Sequence, residues 1–468
     1  MTGDTSHSTA VVQLPFGEIW KMSWKTEGQA CRGRAFDPHI IKSCEGLSHS
    51  AGYWSKLRTA VILLSPFALC SSQLDRPFAW KLKSVQSLGM HMKLENSLEF
   101  NPNGESEPFF ERLEHRAAAF ALFPEKGETP GTPPYIGRTL DLQRRLRRML
   151  RKPEANSKLL NLRESTRRVE YQYAGSGFEM QWLVYRLTRH YYPRQYRARL
   201  RLKPPAMLKV NLQNRFPRVY PTRRIANDGS LYYGPFPSRP TADRFAGEFL
   251  DLFKVRRCSE DLHPDPAHPG CIYSQMRMCM APCFQGCTDA EYREEVERVI
   301  EFLGSEGQSL ERSLKSERDR ASGDLDFERA AQLHRKAEKV HDALALKPEP
   351  VRNIRELHAV LVLPGLQPRT LSFFLMCSGK LHGPGMLDLG ENVSTPLSLD
   401  ERIRILFEEL LNRADDFPNV ASWEHLGLFS KWYYSSFRQG EVVMLSSPSQ
   451  IPYSRLIRIC RKLMAGPS

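Results

Sequence analysis

None of the 468 residues fall in an apolar run long enough to cross a bilayer as a helix, which takes about 20 consecutive apolar residues. The most apolar stretch, AVILLSPFAL from Ala60 to Leu69, is too short, and it lies too far from Met1 to be a secretory leader. A cytoplasmic protein without a membrane partner is therefore expected. Cysteine is sparse: ten in a chain of this length cannot form a disulfide scaffold. No glycine-rich phosphate loop of the Walker type is present, so ATP chemistry is left to partners, and no small-molecule substrate is expected. Acid is the scarcer charge. Lys plus Arg number 67 against 53 Asp plus Glu, a net charge of +14. That excess suits a polyanionic partner.

The surplus is concentrated. RTLDLQRRLRRMLR, Arg138 to Arg151, holds six arginines and one acid. A second run, Arg194 to Arg224, repeats Arg or Lys every few residues and interleaves Tyr196, Phe216 and Tyr220. Positive charge beside aromatic faces meets the needs of phosphate contact and base stacking. The same pattern also fits a solvated helix face. Arg144, Arg148, Arg151, Arg223 and Arg224 are the candidate DNA contacts.

The cysteines are concentrated too. Cys258, Cys271, Cys279 and Cys283 fall within 26 residues, spaced C-x12-C-x7-C-x3-C, with Cys287 as a possible fifth member. Four thiolates can hold a tetrahedral zinc or an iron–sulfur cluster. The absence of a close C-x2-C pair leans toward the cluster.

The patterning indicates an α+β multidomain chain. Residues 1–89 show no sustained period and read as a disordered extension; native translation starting at Met90 or Met92 would explain them. Residues 108–202 alternate strand and helix as a small α/β domain. Ala117 to Phe123 is a strand and Pro124 to Pro134 a turn. A helix begins at Ser176 with an S-x-x-E capping box to Glu179 and a stripe of Met180, Leu183, Val184, Leu187 and Tyr191. His190 and His334 read as surface or interface residues, and Trp182 as packing. Residues 203–257 read as a basic connector, and 258–287 as the cysteine region. Helices fill 290–346, with a hairpin turning at Ser322-Gly323-Asp324. Ala330, Leu333, Ala337, Val340 and Leu344 form its seam. Strands at Leu357–Leu363, Thr370–Met376 and Glu441–Leu445, with a helix from Leu399 to Asn412, make 351–468 a final α+β unit.

Several motifs in order resemble one family. FKVRRC followed by CIYSQMRMCMAPC (Phe253 to Cys283), FPRVYPTRR (Phe216 to Arg224), YYGPFPS (Tyr232 to Ser238) and FERAAQLHRKAEKV (Phe327 to Val340) are similar to motifs of the UvrC family, a component of the UvrABC excinuclease. The likeness covers roughly residues 112–346. It implies nucleotide excision repair on DNA and a [4Fe–4S] cluster on the four cysteines, with zinc the alternative. It also implies a helical UVR hairpin that binds the excinuclease component UvrB through Phe327, Glu328, Ala330, Ala331 and Leu333. The family's N-terminal domain is a GIY-YIG nuclease that makes the 3′ incision with one divalent cation.

The resemblance carries over residue by residue. Tyr135-Ile136-Gly137 keeps the second motif, Arg138 stands where the family usually has lysine, and Arg145 falls on the catalytic arginine. The first motif aligns with Ala118-Ala119-Phe120, so its tyrosine hydroxyl is gone. The metal-binding glutamate falls on Val184, nine residues before Pro193. Glu179 lies five residues earlier, about 140° around a helix and about 7.5 Å along it. Three readings follow. The first is a DNA-binding UvrC-like protein with a degraded nuclease. The second is an active Mg²⁺ nuclease drawing on Glu170 or Glu179, and the third an adaptor without catalysis. No Asp/Asp/His set or paired helix-hairpin-helix motif follows the hairpin, so the 5′ incision is expected to be absent as well. The last segment resembles at most the opening strands of the family's RNase H-like domain.

Overall fold

The computed structural model describes residues 7–13, 19–25, 93–124, 132–152, 160–390, 397–412 and 422–464. The chain divides into two units, Met1–Leu88 and Gly89–Ser468. In the first, strands β1 (His7–Gln13) and β2 (Ile19–Lys25) pair as an antiparallel hairpin. The remainder of the expected disordered extension, Ala60–Leu69 and Met90 included, lies outside the described residues. So does most of the expected turn between Pro124 and Pro134.

The second unit is mixed α and β, as the patterning indicates. Its first layer is a sheet in the order β3 (Asn96–Glu99), β6 (Arg168–Tyr173), β4 (Ala118–Phe123), β5 (Tyr135–Thr139), antiparallel throughout. Every residue of β4 is buried, because helices cover both faces. Strand alternation sends Phe120 and Leu122 to the helix α1 (Leu142–Leu150), whose Leu142, Leu146 and Met149 complete that core. Ala119 faces the helix α2 (Gly177–Tyr191), against Met180, Leu183 and Val184.

Helix α2 starts where the S-x-x-E pattern places it, with the Ser176 hydroxyl accepting from the Glu179 N–H at 3.2 Å. The capping box is only half made. The Glu179 carboxylate accepts from the N–H of Gly175, one residue further back, at 3.0 Å. Trp182 is buried, and His190 is exposed with its ring 4.8 Å from that of Tyr191.

Residues 203–257 do more than connect. Strands β7 (Ala206–Val210), β8 (Val219–Thr222) and β9 (Leu231–Phe236) form a sheet completed by β10 (Arg352–Asn353), in the order β10-β9-β7-β8. Helix α3 (Arg239–Leu250) buries Ala242, Phe245, Ala246 and Phe249 at helical spacing. They share one core with Tyr292, Val296 and Phe302 of α4 (Asp289–Gly304) and the base of a helical hairpin. That hairpin is α5 (Gln308–Gly323) and α6 (Phe327–Ala345). Its turn falls at 324–326, with Leu325 at φ 60°. Of the expected seam, Val340 is buried, and Leu333, Ala337 and Leu344 pack beside it.

The last layer is a sheet in the order β13 (Lys380–Asp388), β12 (Thr370–Cys377), β11 (His358–Pro364), β14 (Glu441–Leu445). Along β11, Val360 and Val362 face helices α7 (Leu399–Asn412) and α9 (Tyr453–Met464). Ala359, Leu361 and Leu363 face α8 (Ser422–Tyr433) and the outer side of α2, where Phe178 and Trp182 meet Phe374 at ring separations of 5.0 and 5.7 Å. Helix α2 is thus packed on two sides. Among the described residues no helix is long and apolar enough to cross a membrane.

Candidate nucleic-acid interface

The residues aligned with the nuclease motifs sit on the first sheet and its two helices. Tyr135 lies opposite Leu122 and is half-buried, its ring 6.3 Å from that of Phe120. Phe120 is fully buried opposite Gly137, and a Cβ on Gly137 would meet the Phe120 ring at 2.6 Å. The motif glycine therefore has a packing reason here: it leaves room for the phenylalanine that stands in place of tyrosine.

Arg138, one residue on, points to the opposite face and shares a cleft with Val184. Arg145 lines a different groove, on the α1 side, with Arg144, Arg147, Arg148 and Arg151. Its Nε is buried without a hydrogen-bond partner among the described residues. Arg138 and Arg145 are thus not brought into one pocket.

The two alternative carboxylates are already engaged. Glu170, on β6, is buried and ion-paired with Arg168 at 3.3 Å, and Arg168 in turn lies 4.4 Å over the Phe123 ring. Glu179 is buried on its Gly175 hydrogen bond, and burial raises its carboxyl above the ordinary range despite that bond. A carboxylate held this way is a poor ligand for an exposed cation. Among the described residues, no group of three or more His, Cys, Asp or Glu side chains is placed to hold a metal ion.

The basic residues form a surface. Arg144 and Arg148 are exposed on α1, whose start is capped by Asp141 accepting from the Arg144 N–H at 2.9 Å. Burial works against ionisation of Asp141, but the hydrogen bond from His115 at 2.9 Å and that cap outweigh it and hold its carboxyl low. Arg147 is tied to Glu107 at 2.9 Å. Arg223 and Arg224 are exposed after β8, and Arg223 reaches the same cleft as Arg138.

The cysteine loop is anchored by one buried arginine. The Arg256 guanidinium donates to the Phe216 carbonyl at 2.8 Å, to the Glu260 carbonyl at 2.8 Å and to Cys258 Sγ at 3.6 Å. Its backbone N–H donates to the Tyr292 hydroxyl, which donates to the Pro217 carbonyl. Two sequence motifs, FPRVYP and FKVRRC, therefore meet at this residue. The Ala281 N–H donates to Cys279 Sγ at 3.3 Å. Burial pushes the Cys279 thiol up to about 11, and its neighbours Cys258, Cys271 and Cys283 add to the rise. Burial raises Cys283 and the half-buried Cys287 as well. The four thiols are electrostatic neighbours, but among the described residues they do not form a group placed to hold a metal ion. The donor set and the N–H groups on sulfur fit a thiolate-bound centre.

Of the residues expected to bind a partner, Phe327, Glu328 and Ala331 are exposed at the hairpin tip, Phe327 at 66 %, and Ala330 and Leu333 are half-buried against the other arm. Leu325, in the turn, joins the exposed set at 72 %. The sequence reading missed a buried cluster around Glu424. Its carboxylate accepts from Tyr185 Oη, Tyr196 Oη and Arg197 Nε, each at 2.9 Å. Its only signal was an acid inside the apolar helix Ser422–Tyr433, which is readable as a paired buried charge.

Basic grooves, a thiol loop and a helical hairpin with an apolar tip define a class of modular α+β protein. Within that class the chain is UvrC-like: residues 206–302 match the family of the UvrC/Cho excinuclease middle domain. It is 28% identical over 333 residues to UvrABC system protein C of Carboxydothermus hydrogenoformans, covering 68% of this chain and 53% of that protein. The protein of the same name from Desulforudis audaxviator is 31% identical over 258 residues, 54% of this chain and 41% of its own. That from Idiomarina loihiensis is 27% identical over 229 residues, 49% and 36%. The chain thus spans about half, or less, of the length of these curated relatives. No solved structure matches it.

Proposed function

We propose that the protein is a DNA-binding, UvrC-like component of nucleotide excision repair in the cytoplasm whose GIY-YIG site no longer cuts. One observation carries the reading. The position that should present a metal-holding glutamate carries Val184, and the two nearest substitutes, Glu170 and Glu179, are buried in other bonds. Hydrolysis of a phosphodiester by this route needs a cation to polarise the phosphate and stabilise the leaving oxygen. Tyr135, Arg138 and Arg145 are what remains of the machinery, and they can contact phosphate without cleaving it.

The experiment is nicking of a lesion-bearing duplex with Mg²⁺. No nicking is expected, together with binding that weakens steeply as salt rises. Mg²⁺-dependent nicking that disappears in Tyr135→Phe or Arg145→Ala would overturn the reading in favour of an active 3′ nuclease.

Two further assignments belong to this proposal. Cys258, Cys271, Cys279 and Cys283 hold a [4Fe–4S] cluster, with zinc the alternative, and a structural centre of this kind would fix the loop that Arg256 anchors. Anaerobic purification should give the brown visible absorption of a cluster; bound zinc without it would reverse the choice. The hairpin tip docks UvrB. Its exposed Leu325 and Phe327 support this, since apolar side chains at a helix tip gain by burial against a partner.

A further inference from the structure

Between the first sheet, the middle sheet and the C-terminal layer lies a cleft of about 440 Å³, a size within the usual range of ligand sites. Arg138, Arg199, Arg201, Lys203, Arg223 and Lys431 line it, and no acidic residue does. They come from parts of the chain far apart: strand β5, the turn after Tyr196, the segment after β8, and helix α8. All six are exposed, and among the described residues none forms an ion pair, whereas Arg197 and Lys209 each have a carboxylate. Six cations without a carboxylate around one opening repel each other and concentrate a field that only an anion relieves.

The cleft is built rather than incidental. Arg201 takes a left-handed conformation, φ 49°, where the helical turn Tyr196–Arg199 ends, which a non-glycine residue adopts at a cost. Gly427 lets helix α8 close on the other wall, since a Cβ there would sit 2.9 Å from the Lys203 carbonyl oxygen. Val184 forms part of the apolar lining on the α2 side.

We propose that this cleft seats a backbone phosphate of bound DNA by direct ion pairs, without a divalent cation. The inference rests on the DNA-binding reading above and names where the strand is held. The charges ring an open mouth instead of converging on a buried polar anchor. That arrangement suits a phosphate presented by a polymer better than a small ligand enclosed on all sides. With valine at position 184, no carboxylate competes with the phosphate for these cations.

The test uses the full chain and a labelled lesion-bearing duplex, titrated by anisotropy over a salt series in EDTA and in Mg²⁺. Arg223→Gln with Lys431→Gln, both at exposed positions, is compared with Arg144→Gln plus Arg148→Gln on the α1 groove. The cleft pair should lower affinity about tenfold or more and flatten the slope of log affinity against log salt by roughly 1–2. Native affinity should be undiminished in EDTA. Unchanged affinity and slope in the cleft pair, with loss in the Arg144/Arg148 pair, would overturn the cleft and leave the DNA reading intact. Native protein that binds no duplex would overturn both. Binding that required Mg²⁺ would overturn direct pairing. Titration with AMP and inorganic phosphate completes the set: if the cleft pair loses these ligands but keeps its duplex affinity, the cleft is a nucleotide or phosphate site and the proposal is wrong.

Discussion

Phe120 and Gly137 illustrate how one replacement changes what a motif does. The tyrosine hydroxyl that the aligned position would present is gone, and the ring that remains is buried on the glycine facing it across the β4–β5 ladder. Gly137→Ala should therefore destabilise the protein by about 1–3 kcal/mol, the usual penalty of overpacking a filled core. Thermal denaturation would measure it. Gly177→Ala, at a position with nothing within 4 Å of the added Cβ, serves as the control. If both variants melt alike, the packing account of Gly137 fails.

A second residue-scale prediction concerns Asp228. The Lys209 ammonium pairs with its carboxylate and the Ser230 N–H donates to it, holding its carboxyl at about 2 against an ordinary 3.8. The folded value is below the unfolded one, so this group stabilises the fold above about pH 4. The contribution is lost as pH falls from there toward 2. The melting gap between native protein and Asp228→Asn should be constant from pH 5 to 7 and shrink below pH 4. A gap that widened on acidification would contradict the assignment.

Among the elements, the hairpin and the C-terminal sheet were legible and the middle sheet was not. Ala359–Leu363 is a short unbroken apolar run, the mark of a strand buried on both faces, and Ile403, Leu406, Phe407 and Leu410 keep a period of 3.6, so β11 and α7 could be read directly. Strand β13 was hidden by Gly383-Pro384-Gly385, which reads as a turn; at this sheet edge the β12–β13 register shifts between Phe373 and Leu375 to accommodate them. Strands β7–β9 lay under a surplus of arginine that made 203–257 look like a connector. The Pro221 in β8 is tolerated because β8 too is an edge. The basic cleft was illegible for another reason: its cations are separated by up to 293 positions, 431 minus 138, and no local pattern announces that they meet. At this scale the hairpin tip makes a clean prediction. Leu325→Ser with Phe327→Ser should change the melting midpoint little, since exposed side chains contribute within about 0.5 kcal/mol, while abolishing capture of UvrB. A large loss of stability would mean that the tip is packed within the fold.

On the scale of the whole molecule, α2 decides how the layers hold together. Its inner face completes the first sheet through Met180 and Leu183, and its outer face enters the core of the C-terminal layer through Phe178 and Trp182. Met207 and Tyr232 bring the middle sheet into that same core. Glu424 adds a polar lock between α8 and α2: it is completely buried, and Tyr185, Tyr196 and Arg197 donate to it. Arg197 is about half exposed and keeps water when the acid is removed, so the main cost of Glu424→Ala lies in losing the acceptor of two buried hydroxyl hydrogen bonds. That amounts to about 3 kcal/mol. Because both cores share one helix, native protein should lose its first sheet and its C-terminal layer in a single calorimetric transition. Glu424→Ala should lower that transition and split it, the C-terminal layer melting first. Tyr196→Phe, which removes one hydroxyl and keeps the ring, should cost about 1 kcal/mol and leave the transition single. Two transitions in the native protein would show that α2 belongs energetically to one layer alone, and would remove the basis for treating the cleft between the layers as a fixed structure.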